Sequence, residues 1–404
     1  MREGDDPRPQ LGLRRIINAS GTMTALGASA AVSEAVEASR AILPWFVEVD
    51  DLQRLASRAI AAATGAEAGC VTSCASAGVT AAVAACMTGS DPWRIAQLPD
   101  AAGMRAGVAI QRGHLIDYGA PIEQAIRLAG ARVVPVGEPG RPAAAELDSA
   151  LDGTIAAALY VVSHHCAPEG QIPFDAFAKA CRARRVSVIV DAAAEYDLRG
   201  FLAAGADLVV YSAHKFLGGL TAGIVAGRKD LVRAAYLQNS GIGRGMKVGK
   251  EGIVGVIAAL DAWGRRDHAA RRRAEEARIA RWTERLAGVR GIRPERSPDP
   301  TGNPVTRLRL HVEADSGASA WRLAGALAAG ERPVMVRDDD IAQGYFELDP
   351  CNLSDGEAEE VAARIVAEVE KMRGRGGPPL SFAEWLARRE KARLAWPDPP
   401  PRTD

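Results

Sequence analysis

The chain has 404 residues, of which 48% are hydrophobic and 25% are charged, and its 50 Lys and Arg balance its 50 Asp and Glu. This length fits two to three domains of roughly 150 residues each, and the balanced charge gives no field that would attract nucleic acid or a membrane surface. No run of about 18 apolar residues occurs, and residues 1–10 lack the apolar core of a signal peptide, so we expect a cytoplasmic protein without a membrane-spanning helix.

The N-terminal 50 residues are interpreted as a segment that packs on a small domain or on a partner subunit. A short strand breaks into a polar turn that contains Asn18 and Ser20. This turn either serves ordinary packing or holds the two side chains over a site, so Asn18 and Ser20 are candidate substrate-binding residues. Helical spacing of apolar residues follows over 29–43 and again over 50–64.

Small residues fill the turn between the next predicted strand and helix, over residues 72–78. Backbone N–H groups, hydroxyls and the positive end of a helix together suit a phosphate, which makes Ser73, Ala75 and Ser76 candidate ligands. Close packing of a helix on a sheet also selects small residues, and this alternative stays open. The turn is neither GxGxxG nor GxxxxGK[ST], which disfavours a nucleotide site.

Strands and helices alternate through the next part of the chain. Strands are predicted over 107–111, 131–136 and 156–162, and helices over 123–129 and 143–151. This alternation predicts a mainly parallel, doubly wound sheet.

Histidines follow two of these strands. His114 is a candidate to stack on a flat cofactor, although an ordinary polar contact is the alternative. His164 and His165 are adjacent, so on a strand their side chains would point to opposite faces. Because no further ligand cluster accompanies them, we predict no metal site. One of the pair, with His164 as the candidate, would face the cofactor.

Two buried strands end in the side chains on which the functional prediction depends. Val-Ser-Val-Ile-Val at 186–190 leads to Asp191, and the strand 207–211 leads to Ser212, His214 and Lys215. Ligands bind at the carboxyl ends of strands in such sheets, and a buried lysine needs a partner or a covalent role.

This pairing predicts pyridoxal phosphate (PLP), because a partly buried aspartate keeps the pyridine nitrogen protonated while a lysine holds the aldehyde as a Schiff base. In this interpretation Lys215 is the Schiff-base residue and Asp191 is the partner of the ring nitrogen. A helix N-cap is the alternative role for Asp191.

A glycine turn after Lys215 is predicted to lead into a strand that reverses along the edge of the sheet, up to Gly227. A basic, Gly-rich segment follows, with Arg244, Lys247 and Lys250. These three side chains either clamp a substrate carboxylate or phosphate or lie in a solvated loop.

The predicted domains are a large PLP-binding domain over 51–264, a small α+β domain over 265–372 and a C-terminal tail over 373–404. The small domain is predicted to contain the strands 305–312, 334–336 and 345–348, the helices 265–288, 319–329 and 355–373, and a linker over 294–303. The tail contains an amphipathic stretch, and we expect its Pro-rich end to be disordered or packed on a partner.

Several motifs resemble fold-type I PLP-dependent enzymes, and within them the selenocysteine-synthase-like group. Residues 191–194, 212–219 and 72–78 carry this resemblance. Residues 111–114, 117–122 and 244–252 resemble the branch related to D-glucosaminate-6-phosphate ammonia-lyase. The resemblance covers roughly residues 14–370.

The resemblance implies a mainly parallel seven-stranded sheet between helices, followed by the smaller α+β domain. It implies that Ala75, Ser76 and Ser212 bind the cofactor phosphate and that His114 stands over the ring. It also implies a homodimer or a higher homo-oligomer. Selenocysteine synthases carry an N-terminal tRNA-binding region; here the core begins near residue 14 without a compensating basic patch, so no nucleic-acid partner is expected.

The predicted function is a PLP-dependent enzyme acting on a small amino-acid-type substrate, specifically an α,β-eliminating ammonia-lyase of a hydroxylated or sugar-derived amino acid. Lys215 would abstract the α-proton, the ring held by Asp191 would stabilise the carbanion, and hydrolysis would release an oxo acid and ammonia. A PLP-dependent racemase, aldolase or aminotransferase, and a non-catalytic homologue that binds a ligand or partner, remain alternatives.

Overall fold

The computed structural model describes residues 6–138, 144–167, 169–375 and 380–398. The Pro-rich end predicted for the tail lies largely outside the described residues, as do the first residues of the N-terminal segment and Ala143, the predicted start of a helix.

The described residues form strands that belong to three sheets. The strands are β1 (Ile17–Ala19), β2 (Ala68–Thr72), β3 (Gly107–Gln111), β4 (Arg132–Val136), β5 (Ile155–Val161), β6 (Ser187–Asp191), β7 (Leu208–Ser212), β8 (Gly223–Gly227), β9 (Ile292–Pro298), β10 (Thr306–Val312), β11 (Val334–Val336) and β12 (Tyr345–Leu348). The sheets have the orders β2-β8-β7-β6-β5-β3-β4, β12-β10-β9 and β1-β11.

The α-helices alternate with these strands through much of the chain. They are α1 (Ser33–Ile42), α2 (Val49–Thr64), α3 (Ala75–Thr88), α4 (Pro92–Gln97), α5 (Ile122–Leu128), α6 (Ala144–Ala150), α7 (Phe174–Ala183), α8 (Gly200–Ala203), α9 (Lys229–Leu237), α10 (Lys250–Arg265), α11 (His268–Ala287), α12 (Ala320–Ala328), α13 (Asp355–Arg375) and α14 (Phe382–Leu394). Within the described residues, none of these helices has both the length and the apolar character that a membrane span requires.

The chain forms two compact units. The larger unit is Ser29–Arg266, and the smaller unit combines the residues up to Ala28 with those from Asp267 onward. The predicted N-terminal segment includes residues 29–50. The structure instead packs α1 along α10, where the Ser39 hydroxyl donates to the Glu251 carbonyl at 2.9 Å, so this part belongs to the larger unit.

The seven-stranded sheet of the larger unit confirms the predicted mainly parallel architecture. Every pairing is parallel except those of β8, which runs antiparallel to both β2 and β7. The prediction that the reversing strand lies at the edge is wrong, because β8 lies between two strands. Its small and aliphatic residues, Gly223 to Gly227, are all buried and suit this internal position.

Helices cover both faces of this sheet. On one face, α2, α7 and α10 pack with residues such as Ile60, Phe177 and Val256. On the other face, α3, α5 and α9 pack with residues such as Val83 and Ile126. Burial on both faces explains why the strands are continuous apolar runs rather than alternating ones.

Six parallel strands end at the same edge of the sheet, which we call the carboxyl edge. The residues at these strand ends are Thr72, Gln111, Val136, Val161, Asp191 and Ser212. The opposite edge, called the amino edge, carries the starts of β6 and β7 and the end of β8. The polar side chains that follow these strand ends therefore collect on one side of the sheet.

The smaller unit contains the antiparallel sheet β12-β10-β9 and the helices α11, α12 and α13. The predicted linker over 294–303 is partly wrong, because β9 pairs with β10 along its whole length. Strand β9 lies at the edge of its sheet, where proline is tolerated. Its charged and proline residues made it resemble a linker.

A buried arginine joins two aspartates in the smaller unit. Arg307 lies 2.8 Å from Asp299 and 2.9 Å from Asp349, and all three side chains are almost fully buried. Burial opposes ionisation of the two carboxyls, but the charge of Arg307 lowers the pKa of both Asp299 and Asp349. The three groups are therefore charged together, and the removal of one leaves an uncompensated charge.

We predict that Arg307→Ala destabilises the protein by about 3–5 kcal/mol, because two buried carboxylates lose their shared cation. Urea unfolding of the full chain measures this loss. Arg290→Ala is the matched control, since Arg290 forms an exposed ion pair with Asp315 and its loss should cost about 1 kcal/mol or less. Equal losses in the two variants would contradict the prediction.

Candidate active site

Asp191 and Lys215 are brought to the carboxyl edge by neighbouring parallel strands. Asp191 ends β6, and Lys215 follows the end of β7 by three residues. Beyond the strands the two loops remain hydrogen-bonded, with Ala192 N–H donating to the Val210 carbonyl at 2.9 Å and Ser212 N–H donating to the Ala193 carbonyl at 3.3 Å. These hydrogen bonds fix the backbone of Asp191 relative to the backbone at the end of β7, from which Lys215 follows.

The Asp191 carboxyl is buried, with only 9% of the residue exposed. One carboxyl oxygen accepts a hydrogen bond from the Ala193 N–H at 3.1 Å. The other has no hydrogen-bond partner in the part of the chain that the structure describes. Burial raises the pKa of Asp191, while the positive charge of Lys215 acts in the opposite direction. A further donor or cation at this carboxyl would stabilise its charged form.

Lys215 lies in a tight turn that also contains His214. Gly218 N–H donates to the Lys215 carbonyl at 3.1 Å, and Gly218 has a φ of +72°, which favours glycine. His214 Nδ1 lies 3.4 Å from the Ser212 hydroxyl. Burial, together with the charge of Lys215, lowers the pKa of His214, so its imidazole is neutral at neutral pH.

The turn of small residues after β2 reaches the same edge and begins α3. Cys74 is the N-cap, and its sulfur accepts from the Ala77 N–H at 3.4 Å. The N–H groups of Ala75 and Ser76 make no hydrogen bond among the described residues, as expected for the first residues of a helix. Two free donors at a helix N-terminus form an anion-binding arrangement.

A glycine on the neighbouring strand makes room for this turn. A Cβ at Gly223 would clash with the Cys74 carbonyl and the Thr72 hydroxyl. The Thr72 hydroxyl itself donates to the Cys74 carbonyl at 2.9 Å. The absence of a side chain at Gly223 therefore lets β8 pack directly against the turn and hold it at the carboxyl edge.

Tyr118 belongs to this site, although the sequence analysis assigned it no role. Its hydroxyl lies 3.0 Å from the Ser76 hydroxyl. Burial raises the pKa of Tyr118, and the negative charge of Asp191 raises it further. Tyr118 is thus near both Asp191 and the turn of small residues over 72–78, which we call the phosphate turn after its predicted ligand. The sequence signal that could have indicated Tyr118 is its position in the loop that follows the strand ending at Gln111.

His114 is almost completely buried, at 2% exposed. Its Nδ1 accepts from the Val161 N–H at 3.2 Å, and its ring packs edge-on against Tyr160 with centroids 4.5 Å apart. Burial lowers the pKa of His114 to about 4, so the ring is neutral at neutral pH. Little of its face is open, and the stacking of His114 on a cofactor stays a prediction.

Gln111 holds the neighbouring loop and was also missed. Its side-chain oxygen accepts from the Ile172 N–H at 2.7 Å, and its amide nitrogen lies 3.5 Å from His114 Nε2. Gln111 ends β3 and is buried, so it connects His114 to the loop before α7.

The loop after β5 places His164 and Cys166 at the carboxyl edge. Val162 N–H donates to the Asp191 carbonyl at 2.9 Å, and the half-buried His164 packs on the ring of His165 at 3.8 Å. Burial raises the pKa of Cys166 to about 12, with further contributions from Asp191 and Glu195. The Cys166 thiol is therefore protonated. Glu195 is a buried carboxyl that the sequence analysis did not single out.

The predicted substrate residues Asn18 and Ser20 lie in the smaller unit. The Asn18 side-chain oxygen accepts from the Ser20 N–H at 3.1 Å and from the Ser20 hydroxyl at 2.9 Å. The Asn18 amide donates to the Gly21 carbonyl at 2.9 Å. Their polar groups thus close a turn.

The basic candidates differ in their surroundings. Lys250 donates to the Trp45 carbonyl and lies 5.9 Å from the centre of the Phe46 ring. Arg244 and Lys247 are exposed, and among the described residues no carboxylate forms an ion pair with either of them. Lys250 therefore has a structural role in the larger unit, while Arg244 and Lys247 keep their donors available.

Comparison with known proteins gives three kinds of match. The L-seryl-tRNA selenium transferase family matches residues 188–281, a range that includes Asp191 and Lys215. The chain is 40% identical over 357 residues to D-glucosaminate-6-phosphate ammonia lyase of Salmonella typhimurium, covering 88% of this chain and 96% of that protein. It is 36% identical over 377 residues to 5'-C-glycyluridine monooxygenase-decarboxylase of a Streptomyces species, covering 93% and 94%.

A solved structure of D-glucosaminate-6-phosphate ammonia-lyase is similar to the whole fold. The TM-score is 0.82 at 38% sequence identity, and the match covers 91% of this chain and 99% of the solved chain. The similarity thus includes both compact units and is not confined to the carboxyl edge.

We predict that Ser76→Ala weakens PLP binding about tenfold or more, because a hydroxyl donor to a charged phosphate is lost. Titration of the apo-protein with PLP, followed by absorbance, measures the dissociation constant. Ser149→Ala is the control, since the Ser149 hydroxyl is exposed and bonds only within its helix. An unchanged dissociation constant in Ser76→Ala would show that this hydroxyl does not hold the phosphate.

Proposed function

Since this chain belongs to the family of D-glucosaminate-6-phosphate ammonia lyase, within the selenocysteine-synthase-like group of fold-type I PLP-dependent enzymes, we propose that it is a PLP-dependent ammonia lyase of a hydroxylated, sugar-derived amino acid. The observation that carries the proposal is the convergence of Asp191 and Lys215 at the carboxyl edge beside the phosphate turn. The alignments with the ammonia lyase and with its solved structure cover about nine-tenths of this chain, which supports a comparison over most of its length.

The donor set at the carboxyl edge fits PLP. The unpaired oxygen of Asp191 suits a protonated ring nitrogen, and the free N–H groups of Ala75 and Ser76 suit a phosphate. Lys215 would attach the cofactor through its amino group as a Schiff base. The remaining proposed cofactor contacts are the hydroxyls of Ser73, Ser76 and Ser212 and the rings of His114, His164 and His214.

When bound, PLP supplies an electron sink that stabilises negative charge at the substrate Cα. Lys215 takes the proton from Cα and donates a proton to the β-hydroxyl, which leaves as water. The lysine thus returns to its starting protonation state. The neutral His214 adds no second positive charge next to Lys215. Burial raises the pKa of Asp191, and a cationic ring nitrogen beside this carboxyl would favour its charged form.

The basic side chains of the larger unit support an anionic substrate. Arg244 and Lys247 are exposed and have no carboxylate partner among the described residues, so they can bind a substrate carboxylate or phosphate. Lys250 is a weaker candidate because it already bonds Trp45. Asn18 and Ser20 complete the proposed substrate residues.

We also propose that the protein is a cytoplasmic homodimer or higher homo-oligomer that acts on a small amino-acid-type molecule. An exposed apolar stretch supports self-association. It consists of Leu43, Trp45, Phe46, Val47 and Val49. Contiguous exposed apolar residues of this kind are typical of protein–protein contacts.

We expect Lys215→Ala to lose the absorbance band of lysine-bound PLP, in the range of about 410–430 nm, together with the lyase activity. Spectra of the purified variant with added PLP measure the first, and an ammonia assay measures the second. Lys179→Ala removes an exposed lysine of α7 and serves as the control. A Lys215→Ala protein that retains the band would refute the assignment of the Schiff-base residue.

The reaction is tested with D-glucosaminate 6-phosphate, its unphosphorylated form and D- and L-serine. Elimination predicts equal amounts of ammonia and oxo acid without any added acceptor oxo acid. Dependence on an acceptor would indicate an aminotransferase, and inversion without ammonia would indicate a racemase. Oxygen consumption with decarboxylation would indicate the reaction named for the Streptomyces relative. A protein that shows neither the band nor turnover would be a non-catalytic homologue.

A further inference from the structure

A cavity of about 420 Å³ opens at the amino edge of the seven-stranded sheet, opposite the edge that carries Asp191 and Lys215. It lies between the end of α7, the starts of β6 and β7 and the residue after β8. Its charged lining consists of Arg182, Arg185, Asp207 and Arg228. The volume is within the range of small-molecule sites, which begins at about 300 Å³.

The charged lining of the cavity is net positive, because it contains three arginines and one aspartate. Arg228 lies 3.0 Å from Asp207 and 2.7 Å from Asp230. The second oxygen of Asp207 accepts from the Val188 N–H at 2.8 Å. Neither Arg182 nor Arg185 forms an ion pair with any carboxylate that the structure describes, so these two guanidinium groups are available to a ligand.

A glycine lies in the cavity wall next to Arg182. A Cβ at Gly205 would clash with the guanidinium of Arg182. Gly205 also has a φ of +112°, a conformation that residues with side chains rarely adopt. The turn before β7 therefore leaves space in which the Arg182 guanidinium lies at the cavity.

Arg185 has an unfavourable backbone conformation, with a φ of +56°. It follows the end of α7, where the Val186 N–H bonds the Cys181 carbonyl at 3.0 Å. Glycine is the preferred residue at such a helix end, because the left-handed conformation costs free energy for other residues. Strain of this kind is concentrated at functional sites. Arginine at this position places a cation at the cavity.

We propose that this cavity binds a phosphate dianion, free or as the monoester of a small metabolite, through Arg182 and Arg185. Guanidinium groups bind phosphate through paired, charge-assisted hydrogen bonds. The volume leaves room for a small organic group next to the phosphate. The cavity is separate from the phosphate turn, since the strands β6 and β7 run from one edge to the other.

The test is isothermal titration of the PLP-saturated full-length protein with orthophosphate and with D-glucose 6-phosphate, at constant ionic strength set with sodium chloride. Saturation with PLP occupies the phosphate turn. We expect Arg182→Ala and Arg185→Gly each to weaken binding at the amino edge about tenfold, and the double variant to abolish binding at that edge. The proposal is supported if the binding of orthophosphate or of D-glucose 6-phosphate is weakened in both single variants and further in the double variant.

Arg184→Ala is the matched control, because Arg184 lies in the same turn but pairs with Asp148. The affinity of this variant for phosphate should stay at the wild-type value. Arg185→Gly should have an unchanged or higher melting temperature, since it relieves the backbone conformation, so its loss of binding cannot result from misfolding. Wild-type affinity in the double variant, or no saturable binding to wild-type protein, would overturn the proposal. Phosphate bound by Arg244 and Lys247, the proposed substrate residues, would not respond to these substitutions, so only the binding that the double variant loses is assigned to the amino edge.

Discussion

The hydrogen bonds between β6 and β7 are the constraint on which the rest of the site depends. They continue past the strands, through Ala192 and Ser212. Asp191 and Lys215 are therefore held at the same edge by the backbone of two neighbouring strands. Burial of Asp191 raises its pKa, and the nearby lysine opposes this shift. The sheet therefore keeps a buried carboxyl close to a lysine, in a place where electrostatic interactions are stronger than in water.

The positions of Asp191 and Lys215 could be predicted from the sequence because each follows a short, continuous apolar strand. Periodicity and strand ends are local properties, and the predicted strand over 107–111 agrees with the structure to the residue. The placement of β8 could not be predicted, since strand order is set by long-range packing and not by local pattern. Strand β9 was missed because an edge strand can be as polar and proline-rich as a linker.

Side-chain roles were harder to predict than strand ends. Tyr118 appeared only inside a motif, and its contact with Ser76 joins residues 42 positions apart. The burial of His114 depends on Val161 and Tyr160, which come from another strand. Lys250 had the same charge and spacing as Arg244 and Lys247, yet its bond to Trp45 separates it from them. Each of these outcomes depends on a partner that no local sequence pattern reveals.

The two edges of the same sheet differ in which charged group lacks a partner among the described residues. At the carboxyl edge, a buried carboxyl has an oxygen without a hydrogen-bond partner among the described residues, and the helix N-terminus beside it has free N–H donors. At the amino edge, Arg228 neutralises the acidic groups, and two other arginines stay unpaired within the described chain. Most of the other arginine pairs of the protein are exposed and contribute little to stability. Donors without a protein partner at a cleft, whether N–H groups or guanidinium groups, remain free to bind an anionic ligand.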